Sequence, residues 1–428
     1  MEKKWVIAAL VALLALPVTA VAEDVTLELL IHQNQALVDY IDAFNAKFEA
    51  KYPGIKVNTS VVKADELATS TQTRLTANDV DVIDMFGFAQ GIQPFMKKAD
   101  KPNWQSLIEA GLLMDLTGQS FLKNYDAPTI KDAGSFNGKV YEVNTGRYAF
   151  TGVFYNKDLF AKYKVKVPTT WKEFVAACDT FKKAGIPAIT CGGKDGWPIL
   201  VAGYGILLSS YPDQAALVKG LWEGSIKWND AKSLDMWKKM QVLARDLIEP
   251  GASGIGSDGA PGRFASGAAA MLAAGSWDAS NIEAAKPAFK FGYFPMPGSD
   301  KAADNKYIGG KYDVGWVVNA KTANKDAALK WLAFFSDPVN YQAYVTALGI
   351  IPTQPTAKLE TTIGKELAPY LSSFRLGYEL LWVAPKGAGQ WAQPNASFFK
   401  PYNQFDDPKK LADQVQADLD AGLKAVKQ

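Results

Sequence analysis

Residues 25–62 read VTLELLIHQNQALVDYIDAFNAKFEAKYPGIKVNTSVV. Val25, Leu27, Leu29 and Ile31 fall at every second position, the period of a strand with one buried face. This strand runs into His32-Gln33-Asn34-Gln35. Leu37, Ile41, Phe44 and Phe48 then recur at steps of four, three and four, which predicts an amphipathic helix ending at Tyr52-Pro53-Gly54. A second strand follows from Ile55 to Val62. The three pieces make a βαβ unit, hence an α/β protein, and the strand-to-helix loop lies at the carboxyl edge of the sheet, where open α/β proteins bind ligands.

Outward from this unit, Asp79 to Phe86 reads as a buried strand that opens into Gly87-Phe88-Ala89-Gln90-Gly91, again at a carboxyl end. Leu107 to Leu116 and Phe121 to Asn124 read as short helical pieces, and Asn137-Gly138 as a hairpin turn into a strand from Lys139 to Val143. The stretch Gly146 to Gly152 leads into a strand over Val153 to Tyr155. Its polar-aromatic character replaces the earlier pattern, so an interdomain crossing is placed there. Further on come helices over Asp158 to Tyr163 and Trp171 to Lys183, the latter capped by Pro168-Thr169-Thr170, then a strand from Ile186 to Thr190. Helices follow through Ser210 and over Ser233 to Leu247. Strands are expected over Phe289 to Pro295 and Tyr312 to Asn319, a helix over Asp326 to Phe335, and a return loop at Leu348 to Thr353. The tail from Pro408 to Lys427 carries Leu411, Val415, Leu419 and Leu423 at steps of four, which predicts a surface helix packed along one side.

A second informative stretch, Gly262 to Ile282, reads GRFASGAAAMLAAGSWDASNI. Phe264 to Met271 is a helix-competent run of small residues, with Phe264 and Met271 expected in the core. From Gly275 onward a Gly-Ser turn presents Trp277 beside Asp278 and Asn281. A large aromatic next to short polar groups suits a partner with one flat apolar face and a polar rim, as a sugar ring has; the alternative is that Trp277 plugs a core.

At 428 residues the chain is long enough for two or three domains. It is 48% hydrophobic and 21% charged with a formal net charge of +2, so a dispersed, nearly neutral surface gives no reason to propose nucleic acid. Lys3 and Lys4, an apolar stretch from Trp5 to Leu16, and Ala20-Val21-Ala22 have the form of a cleaved secretory signal over residues 1–22. The mature protein is thus expected to be soluble and exported. Cys178 lies in a predicted helix and Cys191 at the end of the next strand; in an oxidising compartment they are candidates for a disulfide, with two buried thiols as the alternative.

Much familiar chemistry is missing. His32 is the single histidine, so imidazole-based triads and zinc clusters have one candidate side chain without a second. No G-x-S-x-G, H-E-x-x-H or G-x-x-x-x-G-K-[ST] occurs. Gly254 to Gly259 fits G-x-G-x-x-G, yet no strand is expected to run into it and no helix to start on it. A glycosidase working with a carboxylate pair is left open by the 44 acidic residues. What the chain offers instead is a set of aromatic, amide and charged side chains at predicted strand ends and loops. These are Gln33, Asn34 and Gln35; Phe86 with Gln90; Arg147 with Tyr148 and Phe150; Lys194 with Asp195 and Trp197; Trp277 with Asp278; Lys311 with Tyr312; and Trp382 with Trp391. Aromatic faces pack on apolar ring faces, while amides, carboxylates and lysines direct hydrogen bonds to hydroxyls.

Several blocks together resemble a known family. Gly152 to Phe160 (GVFYNKDLF) followed by Val167 to Phe174 (VPTTWKEF) looks like the signature of extracellular solute-binding proteins of ABC importers, in the carbohydrate-binding group that includes maltose-binding protein. Lys51 to Val57, Ala110 to Leu116, Ala327 to Leu332 and the Gly262 to Ile282 stretch fit in order. The resemblance implies a type II periplasmic-binding-protein fold of two α/β lobes, 23–146 with 310–353 and 147–309 with 354–428, closing on a carbohydrate in the cleft. It further implies a monomeric, non-enzymatic periplasmic protein without cofactor that hands an oligosaccharide to ABC transporter permease subunits. Binding of a non-sugar solute is the alternative. By position, Trp277 resembles the family's stacking Trp, Phe86 a cleft residue after a strand, Asp195 and Trp197 the ligand loop of the second lobe, and Gln33 to Gln35 the contact loop after the first strand. The last aromatic contact is Trp382 or Trp391. The chain departs from the maltose-binding pattern after the first strand, where the acidic-Lys pair is missing, and at Ala89-Gln90, which replaces a charged pair.

Overall fold

A computed structural model describes residues 24–88 and 91–427, so the leader and Gln90 lie outside the described residues. In chain order the strands are β1 Val25–His32, β2 Ile55–Val62, β3 Val82–Phe86, β4 Ser135–Phe136, β5 Lys139–Val140, β6 Val143–Asn144 and β7 Arg147–Ala149. They continue with β8 Gly152–Asn156, β9 Ile189–Thr190, β10 Met271–Ala273, β11 Phe291–Pro295, β12 Ile308–Tyr312, β13 Val314–Val318 and β14 Phe374–Leu376.

The opening βαβ unit forms as its periodicity dictates. β1 and β2 pair in parallel from Val25↔Ile55 to His32↔Val62. The helix Gln35–Lys51 buries Leu37, Ile41, Phe44 and Phe48, and Asn34 caps it by accepting from the Ala36 and Leu37 amides. β3 joins the other edge of β1 in parallel, and β13 and β6 complete a five-stranded sheet of order β2-β1-β3-β13-β6, both added antiparallel. A second sheet of order β11-β8-β10-β9 holds the middle of the chain. Separate hydrophobic cores cover the two sheets.

A small third sheet of order β14-β12-β7 carries the chain between these bodies. β7 leads out of the first sheet from β6 and into β8 of the second; β12 leads back from β11 and passes through Asp313 directly into β13. The two crossing strands are antiparallel, with Lys311 opposite Tyr148 and Tyr312 opposite Arg147. Gly146 is needed at the entry, because with φ +156° a Cβ there would stand 2.5 Å from the Ile350 side chain.

Local signals hold in several other places. Thr170 and Glu173 form a reciprocal capping box on the helix Trp171–Lys183. Asn137 (φ 49°) and Gly138 (φ 76°) make the left-handed pair of the β4–β5 turn. The helix Pro408–Lys427 buries Leu411, Val415 and Leu419.

Several expectations change. The small-residue run from Phe264 to Met271 is not one helix: the helix Ala260–Ala265 stops at Gly267 (φ 78°), and Met271 begins β10, held between β8 and β9. The helix expected over Leu107 to Leu116 spans Asn103–Glu109 instead, ended by Gly111 at φ 66°, after which Leu113 bridges Asn319. The strand expected from Tyr312 is two strands in different sheets, broken at Asp313. Finally, Cys178 and Cys191 form no disulfide. Both are fully buried thiols: Cys178 faces the core from its helix with Phe174 and Phe181, while the Cys191 sulfhydryl lies 3.5 Å from the Ala273 carbonyl of β10. Burial pushes the Cys191 thiol up to about 12, so it stays protonated. Among the described residues no helix is long and apolar enough to cross a membrane.

Candidate functional site

The carboxyl ends of β1 and β3 and the crossing strands meet the second lobe at Trp277. Gly275 turns β10 into the short helical turn Ser276–Asp278, which sets the Trp277 indole between the two bodies, packed partly against the cores of both. Tyr148 of β7 meets it edge-on at 6.0 Å, and Trp197 lies 6.0 Å away at a 52° tilt. Trp197 opens the helix Trp197–Ser210, entered through Gly196 at φ 73°. The Lys311 ammonium of β12 stands 5.5 Å from the Trp277 ring and 4.9 Å from that of Phe86. One cation thus sits between an aromatic of the first lobe and one of the second.

Behind Phe86 lies a buried polar layer. The His32 ring is 5.8 Å from Phe86, and its Nδ1 is 2.7 Å from the carboxylate of Asp84, a fully buried residue of β3 that also accepts from the His32 amide. Burial alone lowers an imidazole, but the charge and hydrogen bond of Asp84 outweigh it, so His32 titrates above its ordinary value. The Lys311 ammonium is 3.6 Å from Asp313. Deeper, Glu142 is fully buried; desolvation raises its carboxyl well above the usual range, and Asn144 donates to it at 3.4 Å. With Nδ1 held by Asp84, the other ring nitrogen of His32, which has no hydrogen-bond partner among the described residues, is the atom left for a ligand.

On the second lobe, desolvation raises the Asp278 carboxyl to about 7, with a weak bond from Asn281 at 3.4 Å opposing it. Asp195 behaves oppositely. Although partly desolvated, it lies below the usual carboxylate range because the Ser257 amide donates to it at 2.7 Å and Lys194 and Lys63 are near. Lys63 directly follows β2, so its charge acts on Asp195 from the other lobe. Ser257 belongs to the glycine loop Gly254 to Gly259, which braces Asp195; the helix Ala260–Ala265 does start after Gly259, contrary to expectation, but only a 3-10 turn precedes the loop.

The structure therefore brings together Phe86, Tyr148, Trp197, Trp277 and Lys311, with Asp278 adjoining and Asp195 across from Lys63. Others stand elsewhere. The Asn34 side-chain oxygen is occupied by its cap, and Gln35 is exposed and donates to Asp39 at 2.7 Å. Tyr312 projects from the opposite face of β12 to Lys311, because side chains alternate along a strand. Trp382 stacks on Tyr378 at 5.3 Å, and Trp391 meets Phe398 edge-on at 4.6 Å; both pack against the second lobe's core. Gln90 lies outside the described residues. Sequence reasoning missed Asp84, Glu142, Asp313 and Lys63. Asp84 carries a readable signal, since an acid inside the apolar run Val82 to Phe86 requires a buried partner. Among the described residues no group of His, Cys, Asp and Glu has the makings of a metal site.

Comparison with known proteins gives the family and the fold. The family described as bacterial extracellular solute-binding protein matches residues 33–342. A multiple sugar-binding protein of Streptococcus mutans is 28% identical over 335 residues, 74% of this chain and 75% of the relative. Among solved structures, the solute-binding protein RafE in complex with raffinose superposes with a TM-score of 0.74 at 24% identity, covering 94% of this chain and all of the other. A chitin oligosaccharide binding protein does so with a TM-score of 0.74 at 22% identity, covering 93% and 99%. The fold is the two-lobed type II arrangement of these proteins.

Proposed function

Because this chain belongs to the bacterial extracellular solute-binding proteins, we propose that it captures a sugar, and specifically an oligosaccharide, between its two lobes and delivers it to the permease of an ABC transporter. The observation that carries the reading is the Lys311 ammonium held between Phe86 and Trp277, with Tyr148 and Trp197 on the flanks. The partly exposed rings of Phe86, Trp197 and Trp277 offer stacking for more than one sugar ring, with Tyr148 buried behind Trp277 as support, and Lys311, His32 and Asp195 offer directed partners for hydroxyls. That relatives are named for raffinose, chitin oligosaccharide and multiple sugars supports the oligosaccharide.

Binding needs no covalent step. A ligand touching both lobes favours the closed form by its extra affinity for that form, and the permease reads closure. The lobes are taken as 23–146 with 310–353 and 147–309 with 354–428, with β7 and β12 as crossings. The protein acts as a monomer in the periplasm, reached through the signal-like leader over residues 1–22. The test is titration of raffinose, chitin oligosaccharides and xylo-oligosaccharides, followed by tryptophan emission and calorimetry. One of these or a related saccharide is expected to bind saturably, and Trp277→Ala to weaken it by more than about 1 kcal/mol. If saccharides leave emission, heat and melting temperature unchanged, the sugar reading fails.

A further inference from the structure

The crossing strands have a second face, and it is built as a site of its own. Lys311 points to the cleft and Tyr148, on the same face, is buried beneath Trp277, so their neighbours Arg147 and Tyr312, paired with each other across β7 and β12, point the other way. On that side, between the crossing strands, β14 and the start of the helix Gln214–Glu223, lies an open cavity of about 590 Å³, within the size range of small-ligand pockets. Two guanidinium groups border it. Arg147 lies 5.5 Å from the ring of Phe374, and Arg375 lies 4.8 Å from that of Tyr307. Lys306 adds a third positive charge beside Tyr307, 5.2 Å from its ring.

Neither arginine forms an ion pair among the described residues, and Arg375 donates only to the Phe374 carbonyl. Asp213 is the one carboxylate among the described residues of the lining, set against two arginines, and it is committed as a helix cap, accepting from the Ala216 amide at 2.9 Å. Arg147 Nε is buried with no hydrogen-bond partner among the described residues, a donor the fold leaves open. Gly310 allows the arrangement, since a Cβ there would stand 2.2 Å from the Phe374 ring.

We propose that this pocket behind the hinge binds a small carboxylate carried on a ring, the carboxylate on Arg147 and Arg375 and the ring against Phe374 and Tyr307. Guanidinium forks match a planar carboxylate, and the flanking aromatics select for a flat body over a bare anion. The inference is independent of the sugar reading, since it uses the opposite face of the crossing strands.

The test is calorimetric titration of the whole protein with benzoate, D-glucuronate, acetate and inorganic phosphate at low ionic strength. Benzoate or glucuronate is expected to bind saturably below about 10 mM and at least about threefold tighter than acetate or phosphate; which of the two binds tighter distinguishes an aromatic acid from a sugar acid. Arg375→Gln, at an exposed position, is expected to weaken that binding about tenfold, the worth of one charge-assisted pair, while keeping the wild-type melting temperature. Arg147→Met is expected to abolish it, and should that variant fail to fold, Arg375→Gln alone carries the test. No saturable binding, equal affinity for all four anions, or binding unchanged in Arg375→Gln would each overturn the proposal.

Discussion

At the scale of single residues, two groups of the cleft tie its chemistry to pH. Desolvation raises Asp278 to about 7, so between the ordinary carboxylate range and neutrality the folded chain holds a proton that the unfolded chain has released. Stability must then fall as pH rises through that window. Asp278→Asn removes the effect, and its melting temperature relative to wild type is expected to climb between about pH 5 and about pH 8, by the equivalent of roughly 1–3 kcal/mol. A constant difference would mean that Asp278 ionises normally. His32 is held above the ordinary imidazole value by Asp84, so its contribution is complete below that value and lost as pH rises through the folded one. His32→Gln is accordingly expected to cost more stability near about pH 6 than near about pH 9, and to flatten the pH profile of sugar affinity. Equal cost at both would show that the 2.7 Å contact carries no charge.

At the scale of elements, the centre of the first sheet depends on one close approach. A Cβ on Gly315 of β13 would stand 2.1 Å from the carboxyl of Glu142, which is fully buried, and 2.2 Å from its Cγ, so the whole side chain would have to shift. Gly315→Ala is expected to destabilise by about 1–3 kcal/mol, read in thermal unfolding, and Gly315→Ala combined with Glu142→Ala to lose less than the sum of the single changes. Additive losses would place the strain elsewhere. Elements also show what sequence can carry. β1, the helix Gln35–Lys51 and β2 were legible because periods of two and 3.6 are local properties, and the Thr170–Glu173 cap is a local pair. β10 was not, because Ala268 to Ala274 is helix-competent by propensity and becomes a strand through β8 and β9, which come from far along the chain. The site divides the same way. Aromatics at strand ends pointed to Phe86, Trp197 and Trp277, whereas the choice of Lys311 over Tyr312 depends on register with β7, and Trp382 and Trp391 depend on how the second lobe packs.

At the scale of the molecule, the crossing strands are not the sole tie between the lobes. The chain from β3 to the helix Asn103–Glu109 begins and ends in the first lobe, where Phe88 stacks on Trp104 at 4.6 Å. Between those anchors it reaches the second lobe: Met96 is 1% exposed and lies in that lobe's core, with Phe95 and Ala99 packed beside it. Ala99 bridges Pro385, the Asp100 amide donates to the Ala384 carbonyl at 3.1 Å, and the Lys386 amide to that of Lys98 at 3.2 Å. If the lobes part when no ligand is bound, this docking must either break or travel with the second lobe. Met96→Ala separates the two, because emptying a buried Met site costs about 2–5 kcal/mol wherever that docking exists. Should the docking belong to the closed form, the loss falls on closure: sugar affinity drops by at least tenfold while the melting temperature of the ligand-free protein barely moves. Should it persist in both forms, the ligand-free melting temperature falls and affinity stays within about twofold. Its backbone bonds and buried side chain join two bodies that otherwise have separate cores, so we expect the first outcome. Calorimetry with the cognate sugar, beside thermal unfolding without it, decides between them.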